Sequence, residues 1–523
     1  MLRLHVLPAC DVNSLLATSY GWQGSGIALF PVNNPALECI VRRQNNSFEL
    51  TVREALASNM QVPEDNWPLD FVTVTIERLA QGVRVRLRCG EWGTCPLYLT
   101  AKSDGLWADW DAVDLYAHQR DASLCPVYTA HLLTGMDDIY ATSTVFPGIQ
   151  RLTARASVEW TSTTGTLQFT LPTPIAQPAP HALTKDADVL TALDRTLMAA
   201  IHRYRCTDVP CASLLSGGLD SAIVAITGAR IEPNETFRTF GMLVPPDSRN
   251  GQQERRQALV DQFGFADTAI ATEDYLCFDP ESERIRELAV APWEEFYHEA
   301  FSALLDAACR QGVREMATGN GGDELCMLHF FEQHEAIAPS RPAGLPRFVS
   351  SRVLQAYQDT LDSVERAPLA LLSSSSLSAA TASAPLFTRK GVWSLSPLCT
   401  PELIRLCRRL PREWRAGRRL WRDYLAKLSV SSLVTHPRIT EDFGGMMELS
   451  LRTRADYLHS LFRDSFLADA GLIDSTILLA DFRHWSTGGE LPYDIAHFMY
   501  TINLELSLRS IAARCAAPQV VFA

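Results

Sequence analysis

One junction constrains the architecture of this chain more than any other. From Cys211 the sequence reads CASLLSGGLDSAIVAITGAR. A short apolar run is followed by a loop of two glycines and two serines around Asp220, then by a second apolar run that starts a helix. A buried strand that feeds a helix through a tight loop belongs to a parallel sheet, where each strand needs a crossover to reach the next. The residues that follow repeat the pattern. TFRTFGMLV from Thr236 reads as a strand, and QQERRQALVDQFG from Gln252 as a helix stopped at Gly264. DTAIAT from Asp267 is a strand, HEAFSALLDAACRQG from His298 a helix ending at Gly312, and VREMATG from Val313 a strand again. DVLTALDRTLMAAIHRYR from Asp188 carries apolar residues at helical spacing and precedes them all. The expected class is α/β, with a doubly wound parallel sheet.

The first third has another texture. FVTVTIERL from Phe71 and GVRVRLRCG from Gly82 alternate apolar and polar residues, and SVEWTSTTGTLQFTL from Ser157 reads as a hairpin turning at Gly165. This part is mostly β. LPTPIAQPAPHAL from Leu171 carries four prolines and cannot form a helix. The predicted organisation is a mostly-β domain over 1–170, a proline-rich linker over 171–185 and an α/β domain over 186–523. The Ser/Ala-rich stretch 371–385 is expected to be a mobile surface loop rather than a lid, and the chain beyond 390 to be helical.

A formal net charge of −13 argues against broad nucleic-acid binding, because phosphate backbones are held by Lys and Arg. The 13 cysteines are odd in number and scattered, with no CxxC pair, so they read as reduced, mostly buried thiols of a cytoplasmic protein. No apolar run approaches the roughly 18 residues of a membrane helix. The start, MLRLHVLPAC, has too short an apolar stretch before Cys10 for a lipoprotein signal. Neither nucleic acid nor membrane is an expected partner.

The loop itself carries the chemistry. Gly217 and Gly218 let the backbone approach a ligand, and the free N–H groups of the loop and helix start attract anions. Ser216 and Ser221 add hydroxyl donors. Asp220 would repel a phosphate unless Mg²⁺ lay between them, since Mg²⁺ is commonly held by one or two carboxylates together with phosphate oxygens. No Gly-Lys-Ser/Thr sequence follows a glycine loop, so the Walker pattern is absent. A hundred residues on, ATGNGGDEL from Ala317 follows another strand. Asp323 would reach the same sheet edge and supply a second carboxylate.

SGGLDS resembles the SGGxDS loop of ATP pyrophosphatases, which cut ATP between the α and β phosphates. Followed by TGNGGDE, it is similar to the synthetase domain of the asparagine synthetases and their relatives. That resemblance implies ATP bound by Leu214, Ser216, Gly217, Gly218, Asp220, Ser221, Phe240 and Gly319, with Mg²⁺ on Asp220 and Asp323. GEWGTCPLYLTAKSDGLWADWDAVDL from Gly90 resembles the family's Ntn-type glutaminase domain, but Leu2 stands after Met1 where that glutaminase has its cysteine nucleophile, and Cys10 lies inside the chain. The expectation is a degenerate glutaminase-like domain kept as a scaffold. Asn320 stands where asparagine synthetases have Glu and β-lactam synthetases Tyr, and Asn cannot take a proton. This favours an α-amine nucleophile, whose pKa near 8 leaves it partly neutral at pH 7.

Among relatives without the cysteine, lasso-peptide cyclases are the most similar. ADWDAVDLYAH from Ala108, TVFPGIQRLTARASVEW from Thr144, LSPLCTPELIRLCRRLP from Leu395 and GELPYDIAHFMYTINLELSLRSI from Gly489 resemble their segments. The family's lysine near the C-terminal substrate loop has no counterpart in THPRITEDFGGMM. Arg438 is the nearest cation there, with Arg419 and Arg422 as further candidates from RAGRRLWRDYL. The resemblance implies adenylation of an Asp or Glu side chain of a precursor core peptide and closure of a macrolactam with the core N-terminal amine. Asp220, Asp323, Asn320 and Arg438 are the expected catalytic residues. A leader peptidase and a leader-binding protein are the implied partners, and APWEEFYHEAF from Ala291 is a candidate lining of the peptide pocket. β-Lactam synthesis from a small β-amino acid, asparagine synthetase-like amide formation and a non-catalytic scaffold are the alternatives.

Overall fold

The computed structural model describes residues 1–57, 67–93, 95–184, 186–204, 211–231, 233, 235–329, 332, 344–515 and 520–522. Lys185, the last residue of the predicted linker, and Arg205, the last of the first predicted helix, lie outside the described residues.

The N-terminal part is two antiparallel sheets. One has six strands in the order Leu167–Thr170, Ser157–Thr161, Val83–Cys89, Phe71–Arg78, Ser47–Glu54 and Leu37–Gln44. The other has seven, with Leu2–Val6 between Gly105–Asp109 and Ile27–Pro31. Alternation decides the packing. Val72, Val74 and Ile76 on one strand and Val83, Val85 and Leu87 on its neighbour are buried, while Thr73, Thr75, Arg84 and Arg86 point outward. The inward faces of both sheets share one hydrophobic cluster in which Leu4, Leu29 and Leu99 join Leu50, Val74 and Trp160. The expected hairpin is present, with Gly165 at a φ of +68° in its turn.

Residues 171–184 form no helix or strand. They run along the α/β part, tied by the N–H of Ile175 to the Leu369 carbonyl (2.7 Å), the Gln177 side chain to the Ala370 carbonyl (2.9 Å) and the N–H of His181 to the Arg409 carbonyl (2.8 Å).

Beyond them lies a five-stranded parallel sheet, ordered Ala266–Ala271, Arg238–Leu243, Cys211–Leu214, Glu315–Ala317 and Trp393–Leu395. The first strand in the chain, Cys211–Leu214, thus sits between the second and the fourth. The order reverses there, and ligands of open α/β sheets bind outside the carboxyl ends of the strands at such a point. Both motifs leave the sheet there, from neighbouring strands with Ser213 opposite Ala317. Helices Val189–Arg203, Leu219–Ile231, Gln252–Phe263 and His298–Arg310 accompany the sheet. The first is capped by Asp188, whose carboxylate accepts the Thr191 N–H at 3.0 Å.

Two expectations are corrected. The Ser/Ala-rich stretch is not a loop: Ser374–Arg389 is a helix, with the Ser373 hydroxyl accepting the Ser376 N–H at 3.2 Å. Its alanines favour helix, and Leu377, Ala380, Ala384 and Phe387 are buried at spacings of three and four. Nor is the chain beyond 390 wholly helical. Trp393–Leu395 completes the parallel sheet, and Val520–Phe522 pairs in parallel with Ala122–Leu124 of the N-terminal part. Short edge strands of three residues carry too little periodicity to stand out in a helical context.

The two parts are packed together. Tyr98, Tyr116 and Phe146 from the first third share a hydrophobic cluster with Trp293, Phe498 and Ile502.

Candidate active site

The glycine loop is held from behind. Gln252, fully buried, donates from its amide nitrogen to the carbonyls of Ser216 and Met242 (both 3.0 Å), while its amide oxygen accepts the Val244 N–H at 3.0 Å. Arg255, also buried, donates to the Gly217 carbonyl at 3.3 Å. Gly217 has a φ of +91°, a backbone conformation that residues with a side chain rarely adopt. Within the loop the Ser216 and Ser221 hydroxyls are 3.0 Å apart, and the Gly218 N–H donates to Ser216 Oγ at 3.2 Å. The loop therefore opens directly into the helix Leu219–Ile231, with Asp220 in its first turn.

The second loop lies against the first. A Cβ added to Gly319 would stand 3.1 Å from the Ser221 nitrogen, and one added to Gly322 would fall 2.4 Å from Asp220 Oδ1. Only glycine leaves room there for the carboxylate. Asp220 and Asp323, 103 positions apart in sequence, meet on one atom: Nη2 of Arg418 contacts Asp220 Oδ2 at 2.5 Å and also Asp323 Oδ1. Arg418 is positioned by its backbone, with Gly417 and Arg418 both in the left-handed region at φ of +59° and +58°. The helix Arg419–Lys427 begins immediately after it. That helix is docked by Trp421, whose indole donates to the Gly322 carbonyl at 3.1 Å.

Burial pushes the Asp220 carboxyl up to about 6; Arg418 acts in the opposite direction and Asp323 adds to the rise. Asp220 Oδ1 is buried and accepts no hydrogen bond. An orphaned carboxylate oxygen beside a second, exposed carboxylate is a donor set that suits Mg²⁺, with its remaining positions left to water and phosphate oxygens. Asp220 and Asp323 would hold it. Among the described residues no group of three or more His, Cys, Asp or Glu could hold a metal by itself.

The other predicted residues fall as follows. Asn320 donates from its side chain to the Ser376 carbonyl at 3.3 Å, which joins the second loop to the Ser373 end of the Ser374–Arg389 helix. Ser375 completes that junction by donating to Glu324 Oε1 at 2.7 Å. Leu214 ends its strand beside the loop. The Phe240 side chain lies fully buried in the hydrophobic cluster, and its carbonyl accepts the Leu215 N–H at 2.7 Å. Arg438 is exposed. The three residues that follow it lie over the glycine loop: Arg255 binds the Ile439 carbonyl at 3.4 Å and the Glu441 carboxylate, and Asn250 the Thr440 carbonyl at 2.9 Å. Arg419 pairs with Asp423 at 2.9 Å on a solvated helix face and does not enter the site.

Sequence reasoning passed over Arg418, the neighbour of the arginines it singled out. The signal was Gly417, a helix breaker placed one residue before the basic run. It also passed over Arg255 and Glu441, which have no motif.

Residues 192–389 match the family model for asparagine synthase. No curated protein matches the chain. Two of the solved structures that match this chain illustrate how loosely they align. The U34-tRNA thiolase NcsA from Methanococcus maripaludis, with its 4Fe-4S cluster, is 12% identical over 58% of this chain and 80% of that one, with a TM-score of 0.25. NMN synthetase from Francisella tularensis is 14% identical over 42% of this chain and 92% of that one, with a TM-score of 0.17. The family match and the paired motifs define the class: an ATP-dependent amide-forming ligase. More narrowly, residues 192–389 form an asparagine synthetase-like domain.

Proposed function

We propose that this ligase closes an amide ring within one peptide, as a lasso-peptide cyclase does. The observation that carries the reading is the meeting of Asp220 and Asp323 on one cationic atom at the switch point of the sheet, beside a glycine loop. Bound there, Mg²⁺ would offset the negative charge of the ATP phosphates against the two carboxylates. The loop N–H groups and the Ser216 and Ser221 hydroxyls hold those phosphates. An Asp or Glu side chain of the peptide attacks the α-phosphorus, breaking its bond to the bridging oxygen and releasing pyrophosphate. The N-terminal amine of the same peptide then attacks the acyl carbon, loses a proton, and AMP leaves. Holding both ends in one site makes this second step unimolecular, which is worth several orders of magnitude. Asn320 donates rather than accepts at its side-chain nitrogen, so it orients groups without serving as a base. Arg438, on the exposed segment beside the loop, is a candidate to stabilise the developing charge. A leader peptidase and a leader-binding protein would deliver the core peptide. The N-terminal domain would act as a scaffold: burial pushes the Cys10 thiol up to about 11, unlike an activated nucleophile.

The test is pyrophosphate–ATP exchange with candidate substrates. Exchange that requires a precursor peptide with an internal Asp or Glu, and that yields AMP with a product one water lighter, supports the cyclase. Exchange driven by a small β-amino acid would assign β-lactam synthesis instead, and none with any substrate would leave a scaffold.

A further inference from the structure

A cleft of about 370 Å³ lies where three segments converge on the N-terminal part: residues 136–140, residues 292–296 and one face of the Ser374–Arg389 helix, with Tyr500 closing one side. Its walls are aromatic, from Tyr140, Trp293, Phe296 and Tyr500. Its floor is small: Ser374, Ser378, Ala379 and Ala382 leave space for a peptide backbone against the helix. The same helix end touches the nucleotide motif through Ser375 on Glu324 and the Ser376 carbonyl on Asn320, so the cleft opens beside the reacting centre.

Its charges are unequal in their partners. Asp137 is paired with Arg366 at 2.9 Å and Asp138 with Arg151 at 3.4 Å. Glu294 is 5% exposed; its Oε1 binds Arg389 at 2.8 Å, but Oε2 accepts no hydrogen bond, with Arg284 and His298 each 3.8 Å away. Glu295 is held by the backbone alone, accepting the Tyr297 N–H at 3.4 Å and bonded by the Phe296 backbone, and has no ion pair among the described residues. Glu294 is thus flanked by two arginines, whereas Glu295, half-buried on the cleft wall, is the carboxylate that lacks a cation. Burial pushes both carboxyls up, and a cation arriving beside them would act in the opposite direction and favour their charged form.

We infer that this cleft seats the free N-terminal end of a peptide, its α-ammonium against Glu295 and its first side chains between the aromatic walls. The volume holds about three residues, and the inference rests on the ligase reading only for what happens next. Aromatic walls and a small floor suit a peptide main chain with apolar side chains, whereas an isolated lysine head would leave them unfilled.

The experiment uses Gly-Phe-Ala amide and its N-acetyl counterpart as probes, titrated into the full chain by saturation-transfer NMR without ATP. The free-amine peptide is expected to bind at least about tenfold more tightly than the acetylated one, one carboxylate–ammonium contact being worth about that factor. Glu295→Gln is expected to reduce the preference below about threefold. Ala379→Trp, at an exposed helix position lining the cleft, is expected to abolish binding of both probes with an unchanged melting temperature. Equal affinity for the two peptides, binding of neither, or an undiminished preference in Glu295→Gln overturns the inference. Asp220→Ala separates this from the ligase reading: it keeps the amine preference and loses exchange. A wild-type chain that shows the preference but no exchange refutes the ligase and leaves the cleft standing; exchange without the preference does the reverse.

Discussion

Asp220 shows how far a single side chain is bent by its surroundings. In a solvated loop it would be ionised throughout the neutral range. Here burial lifts it to about 6, and its charge is kept by Arg418 until something stronger arrives. Two outcomes follow at this scale. Arg418 is the competitor of any divalent cation, so Arg418→Ala should tighten Mn²⁺ binding to the nucleotide-free chain by about fivefold, the worth of a half-exposed ion pair, read by water-proton relaxation. Metal binding should also weaken as the pH falls through about 6, as Asp220 takes up a proton, and Asp220→Asn should remove that step along with most of the affinity. Because burial outweighs the Arg418 ion pair, the linkage to stability has the opposite sense from that of a carboxylate whose pKa is lowered on folding. Since folding raises this pKa above the usual 3.8, the stabilising contribution is full at acid pH and is lost as the pH rises through about 6.

At the scale of elements, the strand–loop–helix unit was legible because each part carries its own signal: a short apolar run, glycines at the turn, and apolar residues at helical spacing. The Ser374–Arg389 helix was not legible. Four serines in a row look like loop composition, yet Ser373 is its N-cap and the alanines behind it are helix formers. Composition averaged over the stretch hid the position-specific role of one residue. Ser373→Ala should cost about 1 kcal/mol in urea unfolding. Because this helix end binds Asn320 and Glu324, it should also lower exchange activity more than a surface Ser→Ala such as Ser383→Ala, whose hydroxyl only returns to its own helix at the Ala379 carbonyl.

For the whole molecule, the sequence marks the change from alternating strands to strand–helix units near residue 171, but not how firmly the parts are joined. Long-range partners leave no local trace. Arg389 binds Asp111 of the N-terminal part at 2.6 and 2.9 Å and Glu294 of the cleft at 2.8 Å, with both carboxylates buried. Nothing in the neighbourhood of Arg389 in sequence points to either. Arg389→Ala strands two buried charges and should destabilise the chain by about 3–5 kcal/mol in urea unfolding. Arg389→Lys should recover little, since one ammonium cannot reproduce the fork that reaches both acids. Among the described residues no helix is long and apolar enough to cross a membrane.

The central claim is that two carboxylates a hundred residues apart serve one metal–nucleotide site. Pyrophosphate–ATP exchange in Asp220→Asn and Asp323→Asn, each checked for native melting, tests it most directly. Each single change should lower exchange by at least about a hundredfold, the scale on which losing one transition-state charge contact is felt. Wild-type exchange in either variant would mean that the two side chains do not work together, and the account would fail.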